Sequence, residues 1–311
     1  MADQPGQPAP PANSLPNLSA LTLKPRDQLT RQASDGIYCI DTLDASQRGF
    51  KISDISQCQS SVILIRNALD VTDEEASELD AFMANDSIVP RTVNHMNANS
   101  LIRRKQATFG AVYKFSGQKV PSFADYDQWP TAVKKALAFS KQIVEQLGHE
   151  PDLFNAVHTN LYPSGNIGVK EHQDEESEMV RGLPILSYTL LTGERKPRDF
   201  VISLRETPEE YDARRRARDE RYRIQGKKLP TSALEVAYHE IAAVTLKHND
   251  LLIMQGNMQS KQTGYWHGVP EAKPPKEYKN ARRLNMTVRA FKQEAVAAAA
   301  AAEAAKRKRE A

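Results

Sequence analysis

Residues 283–289, RLNMTVR, alternate without a break: Leu284, Met286 and Val288 share one parity, and Arg283, Asn285, Thr287 and Arg289 share the other. Successive side chains on a strand point to opposite faces, so the segment reads as a strand with one apolar face and one face carrying two guanidiniums. Such a pair of charges is either a solvated surface or a device for holding an anion. The segment closes a series of short strand-like runs, FNAVHTNLY, PILSYTLL, DFVISL, VAYHEIAAVTL, DLLIM and RLNMTVRAF, spaced by turn residues from Phe154 onward. An apolar run at 61–65 and two helical patterns precede them. The first helix follows Thr72 with acidic residues in its opening turn; the second, AVKKALAFSKQIVEQL, ends before Gly148. Many short strands after helices predict an α+β fold, a β-sandwich or jelly roll buttressed by helices.

The 311-residue chain, 40% hydrophobic, can fill a substantial core as one large domain or two small ones. Its 42 basic and 39 acidic residues leave a net charge of +3, too small a bias to announce nucleic acid or membrane, so any basic surface must be local. Cys39 and Cys58 are the only cysteines, which fits a reducing compartment. No apolar run approaches the roughly 18 residues of a membrane span, and no signal-peptide pattern opens the sequence. The expectation is a monomer of the nucleus or cytoplasm with no membrane partner. Residues 1–36, rich in Pro, Ser, Gln and Asn, predict a disordered tail. Dense charge of both signs at 205–234 predicts an exposed inserted loop or helix, and the alanine-rich 292–311, ending in a basic run, predicts a fraying helical tail.

In EHQDEE, His172 and Asp174 lie two residues apart and project to the same side of an extended segment, so they can share a metal. His267 in GYWHGVP is the strongest candidate for a third ligand. Two imidazoles and a carboxylate form the facial triad of non-haem Fe(II) oxygenases, whereas zinc more often recruits thiolates or a third histidine. His-x-Asp alone more often describes a surface pair. If the 283–289 strand lies inside a jelly roll, its guanidiniums face the lumen, where a planar carboxylate would satisfy one of them. That anion would be a dicarboxylate co-substrate, and Asn160 and Tyr162, which share parity, could project toward it.

His-x-Asp, a distant histidine, RxNxTxR and an upstream NxY together resemble the AlkB family of Fe(II)- and 2-oxoglutarate-dependent dioxygenases. The likeness runs in order through RRKQATFG, VYKFSG, NLYPSGNIGVKEHQDEESE, GLPILSYTL, RDF, LLIMQGNMQ, YWHGVP and RLNMTVR, about residues 60–291. RKQAT followed by YKFSG is similar to the eukaryotic branch that repairs alkylated nucleic acid in duplexes. The charged insertion after Leu204 and the long LTGERKPRDF depart from the family pattern.

The resemblance implies a dioxygenase domain at 60–291 with a double-stranded β-helix buttressed by helices. It implies Fe(II) on His172, Asp174 and His267 as the catalytic centre, with 2-oxoglutarate and O2 as co-substrates. Arg283 would pair with the distal carboxylate of 2-oxoglutarate, helped by Asn160 and Tyr162. Asn285 would support ligand geometry, and Arg289 would lie near the metal or form a structural salt bridge. For substrate, the resemblance implies Phe115 stacked on a flipped base, Tyr113 at an adjoining phosphate or the pocket rim, Glu176 at the exocyclic nitrogen, and Arg104 and Lys105 on phosphates. Each aromatic has a plain core reading beside it. Where the duplex-repair relatives carry a hydrophobic finger, NHMNAN offers Met96. His95, His149, His158, His239 and His248 have no partner at ligand spacing, although His158 shares parity with Asn160. The implied activity is oxidative demethylation of N1-methyladenine and N3-methylcytosine in DNA, releasing formaldehyde and succinate. The same chemistry on RNA, or hydroxylation of a small metabolite, is the alternative.

Overall fold

A computed structural model describes residues 40–47, 50–58, 61–95, 98–115, 118–174, 176–229, 231–259 and 265–310. The tail expected at 1–36 and the wedge candidate Met96 lie outside the described residues. The strands of the first half are β1 (Ile40–Asp44), β2 (Val62–Arg66), β3 (Arg91–His95), β4 (Ala98–Ile102), β5 (Lys105–Phe109), β6 (Lys114–Phe115), β7 (Gln118–Lys119) and β8 (Ser122–Phe123). Those of the second half are β9 (Phe154–Tyr162), β10 (Val169–His172), β11 (Ile185–Gly193), β12 (Arg198–Arg205), β13 (Tyr238–Leu246), β14 (Asp250–Met254), β15 (Tyr265–Val269) and β16 (Ala281–Ala290). The helices are α1 (Asp73–Ala84), α2 (Thr131–Gln146), α3 (Pro208–Ile224) and α4 (Gln293–Glu310).

Eight strands form one sheet in the order β1-β2-β14-β11-β16-β9-β5-β8, and β10-β15-β12-β13 form a second. The alternation of β16 decides what each face of the large sheet does. Leu284, Met286 and Val288 are fully buried in a cluster with Leu79 and Met83 of α1 and Ala136 and Ile143 of α2. The polar parity therefore points away from the helices. On that inner side, Val62, Leu64 and Leu252 of the large sheet pack with Phe200, Ile202 and Val244 of the small one. This is the helix-backed, two-sheet jelly roll that the strand pattern predicts. The helix signals hold as well. Thr72 accepts from Glu75 N and donates its own N–H to the Glu75 carboxylate, a capping box that opens α1. Gly148 takes a φ of +79° just past α2, where glycine carries no Cβ penalty.

Two boundaries differ from expectation, and the insertion takes the helical one of its two expected forms. The sheet begins before residue 60, because β1 pairs in parallel with β2. The charged insertion is a 17-residue helix, α3, opened by a Thr207–Glu210 capping box. It is tied down by Arg214, which donates twice to Glu206, and by Tyr211, whose hydroxyl donates to Leu234 O. The alanine-rich tail is docked, not separate: Ala295 and Ala299 of α4 are buried, and Val112 N donates to Ala295 O at 2.9 Å.

Truncating Met286 to alanine empties a fully enclosed position beneath the helices. Urea denaturation followed by circular dichroism should show a loss of about 2–5 kcal/mol, and a loss below about 1 kcal/mol would contradict this placement of β16.

Candidate active site

β10 and β15 are antiparallel neighbours, and their register sets His172 directly across from His267. Gly168, just before β10, permits the close approach, since a Cβ there would lie 2.5 Å from Val269 O. The imidazole centroids are 4.4 Å apart. Asp174 lies between them, Oδ1 3.7 Å from His172 Nε2 and Oδ2 3.5 Å from His267 Nε2. One ligand atom from each residue falls within 4.8 Å of the others, the one such group among the described residues. His172 Nδ1 donates to Lys170 O at 2.9 Å, which leaves the Nε2 lone pair toward the carboxylate. Burial and then the neighbouring His267 bring the pKa of His172 down to about 4, so near neutral pH it is the uncharged ligand a metal requires. Phe200 stacks on His267, with centroids 5.3 Å apart.

Between the sheets lies a cavity of about 580 Å³ including its open mouth, lined by the triad, by Arg283 and Arg289, and by Asn160 and Tyr162. The two arginines of β16 meet different surroundings. Arg289 donates from Nη2 to Asp174 Oδ1 at 2.9 Å and from Nη1 to Glu176 Oε2 at 3.3 Å. Burial disfavours its charge, but Asp174 and Glu176 outweigh burial and hold its pKa above the ordinary arginine value. Asp174 gains in return: burial would raise its pKa, yet Arg289 and then His267 keep it well below the carboxylate range. Arg283 is 2% exposed and donates from Nη2 to Thr189 Oγ1 at 3.2 Å, while its Nε and Nη1 are buried without a partner. A guanidinium buried with no carboxylate is costly unless an anion completes it. A carboxylate fits the open donors of Arg283, and a ferrous ion fits the His–Asp–His donor set.

The remaining predicted residues divide. Asn160 and Tyr162 face the cavity; Asn160 Oδ1 accepts from Arg104 Nε at 3.0 Å and Gln106 Nε2 at 3.1 Å, and the Tyr162 ring lies 5.2 Å from the Arg283 guanidinium carbon. Asn285 donates to Ser187 Oγ and Tyr188 O and accepts from Thr287, so it braces the cavity floor. Tyr113 is buried in the wall; its hydroxyl donates to Glu176 Oε1 and its ring lies 4.5 Å from that of His158. The side chain of Phe115 lies outside the described residues. One expectation is corrected. Lys105 Nζ donates to Ala84 O and Asn85 O at the end of α1, where unsatisfied carbonyls and the negative dipole end attract an ammonium, so it is not directed to a phosphate. Arg104, also expected on a phosphate, lines the cavity, where its Nε donates to Asn160 Oδ1. His158 stays apart from the triad, beside Thr108 Oγ1 at 3.1 Å and Gln106, its pKa held well down by burial. The wall residues Gln106 and Ser187 were unassigned, yet both share the inward parity of their strands, which alternation alone exposes.

Residues 61–289 match the 2OG-Fe(II) oxygenase superfamily. No curated protein matches the chain. Among the solved structures similar to it are two prolyl hydroxylases. One is a Pseudomonas putida prolyl-4-hydroxylase, 11% identical, with a TM-score of 0.37 over 78% of this chain and 100% of that one. The other is a Trichoplax adhaerens prolyl hydroxylase in complex with a hypoxia inducible factor oxygen degradation domain peptide fragment, 12% identical, with a TM-score of 0.44 over 81% and 97%. The chain belongs to the 2OG-Fe(II) oxygenase superfamily. It is therefore a dioxygenase that uses Fe(II), 2-oxoglutarate and O2.

Replacing Arg289 with Gln leaves the buried Asp174 and the part-buried Glu176 without their cation. Chemical denaturation of the metal-free protein should register a loss of about 3–5 kcal/mol, shrinking as pH falls and Asp174 takes up a proton. The sign follows from the depressed pKa: the stabilisation that Arg289 provides is present above the unfolded-state value and is lost as pH drops through the folded one.

Proposed function

We propose that the chain is an AlkB-like dealkylase that removes methyl groups from N1-methyladenine and N3-methylcytosine in DNA. Glu176 carries this reading. Its carboxylate, two residues beyond Asp174, is fixed by the Tyr113 hydroxyl and by Arg289 on the wall adjoining the triad. A fixed acceptor there suits the exocyclic amino group that adenine and cytosine carry next to the methylated ring nitrogen. The KQATF strand and Tyr113, both within the AlkB-like stretch of sequence, belong to the same wall.

In this reading His172, Asp174 and His267 hold the iron, and Arg283 with Tyr162 receives the distal carboxylate of 2-oxoglutarate. When bound, Fe(II) and 2-oxoglutarate supply O2 activation coupled to decarboxylation to succinate, which oxidises the N-methyl carbon and releases it as formaldehyde. The protein contributes placement. Arg289 keeps Asp174 ionised and oriented, and the Lys170 carbonyl fixes the His172 tautomer. A target base inside a duplex must be flipped to reach this depth, and a methyl group that blocks pairing lowers that cost. DNA is the proposed partner, and the nucleus or cytoplasm the proposed location.

The reading is tested by measuring formaldehyde and succinate from matched methylated DNA and RNA oligonucleotides with Fe(II) and 2-oxoglutarate. DNA carrying either lesion should be turned over. His172→Ala and Asp174→Ala should abolish turnover with the circular dichroism spectrum intact, and Glu176→Ala should lower kcat/KM by about ten-fold or more. Turnover of RNA alone would move the substrate to RNA, and no oligonucleotide turnover or binding would return the protein to the small-metabolite alternative.

A further inference from the structure

Arg198 opens β12 at the same end of the cavity as Arg283 and is 3% exposed. Its Nη2 donates to Pro270 O at 2.7 Å and Ile167 O at 3.2 Å, tying the loop before β10 to the residue that follows β15. Its Nη1 is buried with no partner, as are Nε and Nη1 of Arg283. Tyr162 interacts with both guanidiniums, and the two cations act on each other: burial and then, against Tyr162, the charge of Arg198 pull Arg283 down to about 10. Among the described residues neither arginine forms an ion pair. The acids that Arg198 senses at longer range are engaged elsewhere, Asp199 accepting from Thr245 Oγ1 and Glu271 pairing with Arg103 at 3.5 Å.

Two buried positive charges at one end of a pocket exceed what a single salt bridge would need. Arg283 lines the cavity and can touch a ligand, whereas Arg198 stands behind it and does not line the space. Its two carbonyl bonds account for part of its donor capacity, and no carboxylate among the described residues forms an ion pair with it. We infer that Arg198 is a positioning residue for 2-oxoglutarate: it adds a second buried positive charge behind Arg283, so that the distal carboxylate becomes a requirement for tight binding. This rests on the superfamily's co-substrate and is independent of which substrate is oxidised. A keto acid ending in a methyl group would leave both charges uncompensated, so discrimination between the two ligands is what Arg198 supplies.

The test is calorimetric titration of Mn(II)-loaded protein with 2-oxoglutarate and with 2-oxopentanoate, which has the same chain length but no distal carboxylate. Arg198→Gln should weaken 2-oxoglutarate binding by about ten-fold or more while 2-oxopentanoate binding stays within about two-fold. Arg198→Lys, which keeps the charge but loses the guanidinium fork, should hold 2-oxoglutarate affinity within about three-fold. A parallel loss for both ligands in Arg198→Gln would show a loop tie and nothing more, and an unchanged 2-oxoglutarate affinity would show no role; either overturns the inference. Should Arg198→Gln not fold, the lysine variant decides, and a loss beyond about three-fold there overturns it.

Discussion

The arrangement depends on the pinning of β16. Three apolar side chains of that strand are wedged against two helices, and the intervening residues have no choice but to face the opposite sheet. Two guanidiniums are thereby carried into a space largely closed to water, where charge without a counter-charge is poorly tolerated. One is neutralised from within, by Asp174 and Glu176. The other has no carboxylate partner among the described residues, and a ligand carboxylate entering the cavity would answer it. The pocket thus has a self-compensated end, where the chemistry is centred, and an end that waits for a ligand.

Asp174 joins these arrangements. It belongs to the small sheet's side of the cavity with the two histidines, and its bond to Arg289 reaches across to the large sheet. The donor set is therefore assembled at a seam, and its geometry depends on the two sheets keeping their separation. Apolar packing between them, from Val62, Leu64, Phe200 and Ile202, maintains that spacing. Tyr113 and Glu176 extend the same network toward the proposed substrate wall, so a disturbance at Arg289 is felt by the metal donors and by the wall together.

Much of this was legible in the sequence because strand parity is a strict rule. RLNMTVR, NxY and His-x-Asp each specify which side chains share a face, and those residues converge in the cavity as alternation requires. The errors arose where a side chain's direction depends on tertiary context. Lys105 follows Arg104 in a basic run, yet one reaches the end of a helix distant in sequence and the other enters the pocket. Nothing local to RRK encodes α1's position. The docking of α4 was likewise hidden, since an alanine face discloses no preferred surface until a matching groove exists. Arg198 was read as part of RDF and no more, because its significance lies in proximity to Arg283 across the fold.

The charge at the far end of the pocket also bears on the stability of the fold. A native state that carries buried cations without a counter-ion is strained, and any acid that relieves the strain shifts the folding equilibrium in proportion to its concentration. A central metabolite then behaves as a structural component of the protein as well as a reagent. Withdrawing that acid from solution makes the folded chain easier to unfold, by the same linkage.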